Sequence, residues 1–283
     1  MYDIRALSQS PSLAGWLALS NQPVVLHVFD EVCNLINERR EILSIVHAEI
    51  GNGPFNLVVD EPVIFARHLA VESKVSIHDE QLSLGDITIS FANAQTWNPA
   101  PKWDNLRTNK DEITNRLALL QIDNENESIL QFRRAELVEA SNSLTTAIIK
   151  ADFPTTKTIS SKLAGLGIGL TPAGDDFLMG AMYAAWMIHP QELAKNITEE
   201  IADIAVPLTT SLSGAWLRSA AKGEAGELWH EFFDALIEDK NIYLPMSKIL
   251  SVGETSGKAL KTLLTGVGPA KGLGCGLLLV RRA

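Results

Sequence analysis

The sequence is poor in cysteine, in aromatic residues and in long uncharged apolar runs. Its 2 cysteines, Cys33 and Cys275, lie far apart and outside any Cys-x-x-Cys or Cys/His pattern. A zinc site of that kind therefore lacks ligands, and both thiols are expected to be reduced core residues of a cytoplasmic protein. The apolar stretch 177–188 is too short to span a bilayer. Residues 1–5 lack the features of a signal peptide, so we expect no membrane partner.

Positive charge is also scarce. The chain has 24 Lys and Arg residues against 34 Asp and Glu residues, for a net charge of -10. A nucleic-acid partner would require a basic stripe that neutralises phosphates, and no such stripe is present, so nucleic acid is excluded as a partner. The 6 histidines show no metal-ligand spacing. The 283 residues, 46% of them hydrophobic, suffice for one large domain or two modest ones.

The pattern of apolar residues changes near residue 100. Before it, short β-branched runs alternate with turn signals, and no long helix separates them. This favours an antiparallel sheet or small barrel over residues 1–100. Residues 101–283 are predicted to form a mostly helical domain, so the fold class is α+β. The predicted strands are 24–29, 42–47, 55–59, 74–78 and 87–91.

The helical part is predicted from its periodicity near 3.6 residues. Pro154 and the hydroxyl-rich residues around it are expected to end the second helix. The predicted helices are 104–121, 126–150, 172–188, 197–221, 227–238, 246–250 and 256–265.

The segment 165–176, with the sequence GLGIGLTPAGDD, differs from its surroundings. Thr171 and Pro172 are typical of a helix start, where the threonine hydroxyl caps the helix and proline takes its first position. A helix start offers free N–H groups and a partial positive charge, which favour a small anion such as a phosphate or carboxylate. The glycines that let the backbone approach such a ligand are Gly165, Gly167, Gly169 and Gly174.

Asp175 and Asp176 follow in the first turn of an apolar helix. They could serve only to complement the helix dipole. Since the helix after them is expected to be buried, a carboxylate there requires a hydrogen bond, a charge partner or a cation. The aspartates are therefore candidates to bind Mg²⁺ or a substrate amine, or to act as a general base.

Two further segments combine hydroxyls and glycines at helix starts. The first contains Ser211 and Ser213 and is followed by Arg218, a candidate clamp for a carboxylate. The second contains Thr255, Ser256 and Gly257. Either segment could simply cap its own helix, or both could meet the glycine-rich loop in one polar pocket.

The motif Gly-Leu-Thr-Pro-x-Gly-Asp-Asp, at 169–176, resembles the signature of the bacterial AllH family, a subunit family of oxamate carbamoyltransferase. The resemblance extends to 94–101 around Trp97, to 220–224 and to 253–257. It implies carbamoyl transfer between oxalurate with phosphate and oxamate with carbamoyl phosphate, in allantoin and purine nitrogen breakdown. It also implies companion subunits related to FdrA.

On this resemblance the glycine-rich loop and the hydroxyl-rich segments bind the substrate anion. Asp175, Asp176 and Thr171 are the expected catalytic residues. The two aspartates are also candidate ligands of an optional Mg²⁺ ion. Two alternatives stay open at this point. The chain could be a hydrolase or lyase that acts on another small carboxylate or amide, or a non-catalytic subunit for ligand binding or assembly.

Overall fold

A computed structural model describes residues 2–113 and 134–251 of the chain. The α+β fold class is confirmed: a nearly closed sheet comes first and a helical region follows. Contacts divide the described residues into two units. One runs to Pro99 and includes Ala225–Glu227, and the other holds the remaining described residues. The predicted domain boundary at residue 100 stays a prediction.

The sheet of the first unit is mixed. Its strands follow the order β2-β3-β4-β5-β1-β8-β7-β6, and β9 pairs with β1. The β1–β8, β1–β9 and β4–β5 pairs are parallel, whereas the other pairs are antiparallel. The strands are β1 Tyr2–Gln9, β2 Val24–Val28, β3 Val32–Ile36, β4 Ile42–His47, β5 Asn56–Val59, β6 Val75–His78, β7 Gln81–Leu84, β8 Ile87–Ser90 and β9 Gln95–Thr96.

The two ends of the strand order approach each other. Val24 forms a bridge with Lys74, and the Val25 amide donates to the Ser73 carbonyl at 2.9 Å. Alternate side chains of each strand therefore point into an enclosed interior, which a cluster of buried apolar residues fills. Members of this cluster include Ile4, Val25, Leu35, Leu57, Phe65, Leu82 and Ile89.

The prediction omitted the central strand β1 and the short strands β3, β7 and β9. Ala6 in β1 pairs with Val59, and Ile4 pairs with Ile89, so β1 joins the two halves of the sheet. Its sequence contains Asp3 and Arg5 on the outward face, which weakens the apolar signal on which the prediction depended.

The second unit is helical within the described residues. One α-helix, α1 Leu13–Ala18, belongs instead to the first unit. The other helices are α2 Trp103–Thr108, α3 Arg134–Ile149, α4 Phe153–Leu163, α5 Ala173–Ile188, α6 Gln191–Ala205, α7 Ser211–Ala221, α8 Glu227–Ile237 and α9 Tyr243–Ser251. None of the helices in the described ranges is long and apolar enough to cross a membrane. The predicted helix 256–265 lies outside the described residues.

Two helix predictions were wrong. The single helix predicted over 197–221 is two helices, α6 and α7, separated by a 3-10 turn at Val206–Leu208 that contains a proline. Pro154 does not merely end a helix: it stands at the start of α4, where the Asp152 side chain caps the Thr155 amide at 3.2 Å. Proline suits this position because the first helical amides have no intrahelical partner.

Helix α5 is the centre of the helical unit. All but two of its residues are buried, and it packs against α2, α3, α4, α6 and α7. Its first turn therefore lies among other elements, and this turn carries the two aspartates of the glycine-rich motif.

Candidate functional site

The glycine-rich loop connects α4 to α5. Gly165, Gly167 and Gly169 have φ values of 67°, 134° and 91°, a backbone region that favours glycine. The tip at 167–169 is exposed, and the Ile168 residue at its centre is 71% exposed. The alternating glycines thus allow a backbone conformation that would be strained in most residues with a side chain.

Close backbone approaches hold the ends of this loop. A Cβ at Gly174 would lie 1.9 Å from the Leu163 carbonyl oxygen, and one at Gly165 would lie 2.4 Å from that of Leu208. The Gly174 amide also donates to the Leu166 carbonyl at 2.8 Å. The start of α5 is therefore packed directly against the end of α4, and this packing requires glycine.

Asp175 fastens the loop to the start of α7. It is 2% exposed, and its Oδ1 accepts the Gly165 amide at 2.9 Å. Its Oδ2 accepts the hydroxyls of Ser213, at 2.8 Å, and of Thr209. Both oxygens of this buried carboxyl group thus receive donors, as burial of a polar group requires.

Thr210 adds a second connection. Its Oγ1 accepts the Ser213 amide at 3.0 Å, which caps α7, and donates to the Leu170 carbonyl at 2.5 Å. The glycine-rich loop and the first hydroxyl-rich segment therefore meet, as the sequence suggested. The sequence analysis singled out Ser211 and Ser213 as site candidates, but Thr209 and Thr210, from the same segment, make two of these contacts.

Asp176 has a different environment. It is 7% exposed, and its Oδ2 is buried without a hydrogen-bond partner among the described residues. Burial, with the nearby charge of Asp175 as a second cause, raises the pKa of the Asp176 carboxyl well above its ordinary value of 3.8. This carboxyl group is the one at the start of α5 that retains an unused oxygen.

The first amides of α5 are largely used within the protein. The Gly174 amide bonds to Leu166, and the amides of Asp175 and Asp176 donate to the Pro172 carbonyl at 2.9 and 3.1 Å. Pro172 stands at the N-cap with no side-chain cap, so the predicted capping by the Thr171 hydroxyl was wrong. A residue just before proline is pushed towards an extended backbone, which places Thr171 outside the helix.

The remaining predicted residues are placed as follows. Ser211 begins α7, and the Arg218 side chain lies along the same helix, with Nη1 3.6 Å from the position of a Cβ at Gly214. The residues Thr255, Ser256 and Gly257 lie outside the described residues. Whether Ser211, Arg218 and this third segment bind a ligand stays a prediction.

The described residues offer few protein ligands to a divalent cation at this turn. The two oxygens of Asp175 already accept three hydrogen bonds, from Gly165, Thr209 and Ser213. In the described part of the chain, no group of three or more His, Cys, Asp or Glu side chains could hold a metal ion. Asp176 is the carboxyl group of this turn with an oxygen that lacks a partner among the described residues, and Mg²⁺ is usually held by one or two carboxylates together with substrate phosphates.

A separate cavity of about 400 Å³ opens in the helical unit. Lys102, Trp103, Arg107, Trp186 and Lys222 are among its lining residues, and no residue of 163–176 lines it. The indole nitrogens of both tryptophans donate to carbonyls at the end of α7. The Arg107 guanidinium is bound to the Trp186 carbonyl, at 2.8 Å, and to Asp104. The polar groups of these three side chains are therefore already bonded within the protein, so their positions in the cavity wall do not require a ligand.

Together these features define a class of protein: an α+β chain with a glycine-rich loop that leads into two buried aspartates at the start of a central helix. Two family models match it. The one described as AllH family N-terminal domain matches residues 5–96, and the one described as oxamate carbamoyltransferase subunit AllH matches residues 163–267. The chain belongs to the AllH family, which confirms the resemblance seen in the sequence. Membership in a subunit family implies partner subunits of an enzyme.

Neither the search of curated proteins nor the search of solved structures finds a match to this chain.

Proposed function

We propose that this chain is a subunit of an oxamate carbamoyltransferase that interconverts oxalurate and phosphate with oxamate and carbamoyl phosphate. An oxygen of hydrogen phosphate attacks the ureido carbon of oxalurate, and the bond from that carbon to the oxamate nitrogen breaks. The proton of hydrogen phosphate ends on that nitrogen. In this proposal the reaction serves allantoin and purine nitrogen breakdown in the cytoplasm, with FdrA-related companion subunits.

The observation that carries this proposal is the match of residues 163–267 to the oxamate carbamoyltransferase subunit model. That range contains the glycine-rich loop, both aspartates and the start of α7. The same range has the close backbone packing described above and the Asp176 oxygen that lacks a partner in the described part of the chain. The close glycine packing and the buried Asp176 oxygen therefore lie in the part of the chain that resembles a transferase subunit.

The substrate site of this proposal lies at the loop 165–176. The exposed tip, 167–169, offers peptide groups to the anionic end of the substrate. Asp176 contacts the substrate amide or carbonyl. Asp175 is a positioning residue because its oxygens already hold the loop and α7. Donors aimed at the developing charge of the carbonyl would lower the barrier to carbamoyl transfer.

One observation favours a second candidate, a ligand-binding subunit whose reaction is completed on a partner. Ile168 and Leu208 are 71% and 52% exposed, and Gly165 connects their segments through its close approach to Leu208. Large apolar side chains exposed next to a polar site are typical of a contact surface. On this candidate the chain binds the small anion and catalysis requires both subunits.

The test is reconstitution with companion subunits. Purified chain, alone and mixed with FdrA-related subunits, is given oxamate and carbamoyl phosphate, and oxalurate and phosphate are both quantified. Asp176→Asn should lower the turnover number on the order of 100-fold, since an amide N–H is a weaker donor than a carboxylic O–H. Asp203→Asn, at an exposed position of α6, is the control and should retain wild-type turnover.

The outcomes separate the candidates. Turnover only in the mixture supports the partner-dependent subunit, and turnover by the chain alone supports a self-sufficient enzyme. Consumption of an amide or ureido substrate without coupled phosphate chemistry would identify a hydrolase or lyase instead. Wild-type turnover in Asp176→Asn would remove Asp176 from the reaction.

A further inference from the structure

The two aspartates at the start of α5 have unequal capacity to bind a ligand. Asp175 receives three donors, from Gly165, Thr209 and Ser213. Asp176, its neighbour, retains a buried Oδ2 with no partner in the described part of the chain. A buried polar atom without a partner destabilises the fold, so its retention is typical of a functional site. Of the two aspartates, Asp176 is therefore the one that retains an oxygen for a ligand.

The charges around Asp176 disfavour an anionic group at its carboxyl. Asp175 is adjacent, and the amides of Gly174, Asp175 and Asp176 are spent on the carbonyls of Leu166 and Pro172. A phosphate or carboxylate placed there would meet the Asp176 carboxyl group, with Asp175 next to it in the chain, and these helix-start donors would already be used. A ligand group at Asp176 must therefore be neutral or carry donors of its own.

We infer that Asp176 binds the primary amide group of its ligand, a carbonyl that carries an amino group, through paired hydrogen bonds, and that the anionic end of the ligand lies elsewhere. The Asp176 hydroxyl donates to the ligand carbonyl oxygen, and the Asp176 carbonyl accepts from the ligand nitrogen. This pairing matches donor to acceptor in both directions and adds no charge to a buried position. Burial, and then the charge of Asp175, raise the pKa of the Asp176 carboxyl, which favours the protonated form that this pairing uses.

This inference rests on the proposed function and makes it more specific. Oxalurate, oxamate and carbamoyl phosphate all carry a carbonyl with an unsubstituted amino group, whereas phosphate does not. A site that recognises this group would bind the carbamoyl end of oxalurate or of carbamoyl phosphate, or the carboxamide of oxamate, one ligand at a time. For oxalurate and carbamoyl phosphate it would also place the carbonyl oxygen on a hydrogen-bond donor, where negative charge develops during transfer.

The experiment compares two ligands that differ in one group. Oxamate carries a carboxamide where oxalate carries a second carboxylate. Isothermal titration of the full chain should show oxamate binding at least about tenfold more tightly than oxalate, a difference expected when a buried site is built to pair with an amide. Inorganic phosphate alone is the third probe and should not compete with oxamate for Asp176.

Two substitutions at the same position test the pairing. Asp176→Asn keeps one acceptor and one donor of similar shape, so oxamate affinity should stay within about threefold and the preference over oxalate should persist. Asp176→Leu removes both groups, and oxamate affinity should fall more than about tenfold. Asp203→Leu on α6 is the matched control and should bind oxamate as the wild type does. Thermal unfolding of each variant confirms that it is folded.

Several results would overturn the inference. They are equal affinity for oxamate and oxalate, unchanged oxamate binding in a folded Asp176→Leu variant, phosphate binding that depends on Asp176, or no oxamate binding by folded wild-type chain. Its failure is distinguishable from that of the proposed function. An oxamate preference that depends on Asp176, without turnover in any subunit mixture, would retain the amide site and reject the transferase. Turnover in a subunit mixture, together with unchanged oxamate binding in Asp176→Leu, would retain the transferase and reject the amide site.

Discussion

At the scale of single residues, Asp175 and Asp176 differ in the donors that surround their carboxyl groups. Asp175 accepts three hydrogen bonds within the protein, at least one on each oxygen, while Asp176 keeps an unpaired oxygen among the described residues. Adjacent residues on a helix point in directions about 100° apart. This rotation allows one carboxyl group to face α7 while the next faces another side.

Removal of one donor to Asp175 should destabilise the fold. Ser213→Ala deletes a hydroxyl that lies 2.8 Å from Asp175 Oδ2 inside the protein. The free energy of unfolding, measured by urea denaturation, should fall by about 1–3 kcal/mol because a buried acceptor loses its partner. Ser161→Ala, at an exposed position of α4, should change it by less than about 0.5 kcal/mol. Equal effects in the two variants would contradict the assigned role of Asp175.

Asp176 should make stability fall as the pH rises. Its pKa in the folded protein is raised above 3.8, so the folded state holds this proton more tightly than the unfolded state. Its contribution is complete below pH 3.8 and is lost as the pH rises through the raised pKa. Asp176→Asn should therefore gain stability relative to the wild type over that window, measured as the difference between their thermal midpoints from about pH 4 to about pH 9.

The comparison with Asn isolates Asp176 from other titrating groups, since both proteins share them. Asp203→Asn, at an exposed position of α6, is measured over the same pH range as the control for the loss of a surface carboxyl group. A difference between Asp176→Asn and the wild type that stays constant with pH would show that Asp176 ionises normally.

At the scale of elements, the site depends on the close approach of α4 to α5. Gly174 is the contact: its Cα faces the Leu163 carbonyl, and its amide bonds to Leu166. The 3-10 turn at Val206–Leu208 supplies the other contact, at Gly165. Three segments that are distant in the sequence thereby define the path of the loop.

Gly174→Ala should separate these elements. Its φ is not in the left-handed region, so the backbone tolerates alanine, but the new Cβ would lie 1.9 Å from the Leu163 oxygen. Such overpacking should lower the free energy of unfolding by at least about 2 kcal/mol. Gly15→Ala in α1 is a helical control with no atom within 4 Å, and it should be neutral or stabilising by up to about 1 kcal/mol. Urea denaturation of the two variants provides the comparison.

At the scale of the whole molecule, the chain divides into a β unit and a helical unit. The apolar cluster of the β unit is formed entirely by residues that precede Pro99. The unit also includes Ala225–Glu227, where Glu227 accepts hydrogen bonds from the Asn52 amide at 2.6 Å and from its side chain at 2.9 Å. One turn of the β unit is therefore completed by residues from much later in the chain.

A fragment of residues 1–100 should fold because its core is contained within it. We expect a β-type circular dichroism spectrum and a cooperative thermal transition. Because the fragment lacks Glu227, Asn52→Ala should destabilise the full chain more than it destabilises the fragment. A fragment with a random-coil spectrum would contradict the predicted domain boundary at residue 100.

Local sequence determined several features of this protein. The alternating glycines and Thr171-Pro172 located the loop and the start of α5 because positive φ values and helix initiation are properties of a few neighbouring residues. The change of apolar periodicity near residue 100 indicated the α+β class for the same reason. The motif 169–176 sufficed to identify the family.

Only the tertiary structure decided how the two aspartates differ. Nothing in the dipeptide Asp175-Asp176 distinguishes its members, and their difference depends on where the Gly165 amide and the hydroxyls of Thr209 and Ser213 lie. The central position of β1 likewise depends on pairing with β5 and β8, which come much later in the chain. Contacts between distant segments are absent from any local pattern, so they become visible only when the chain is folded.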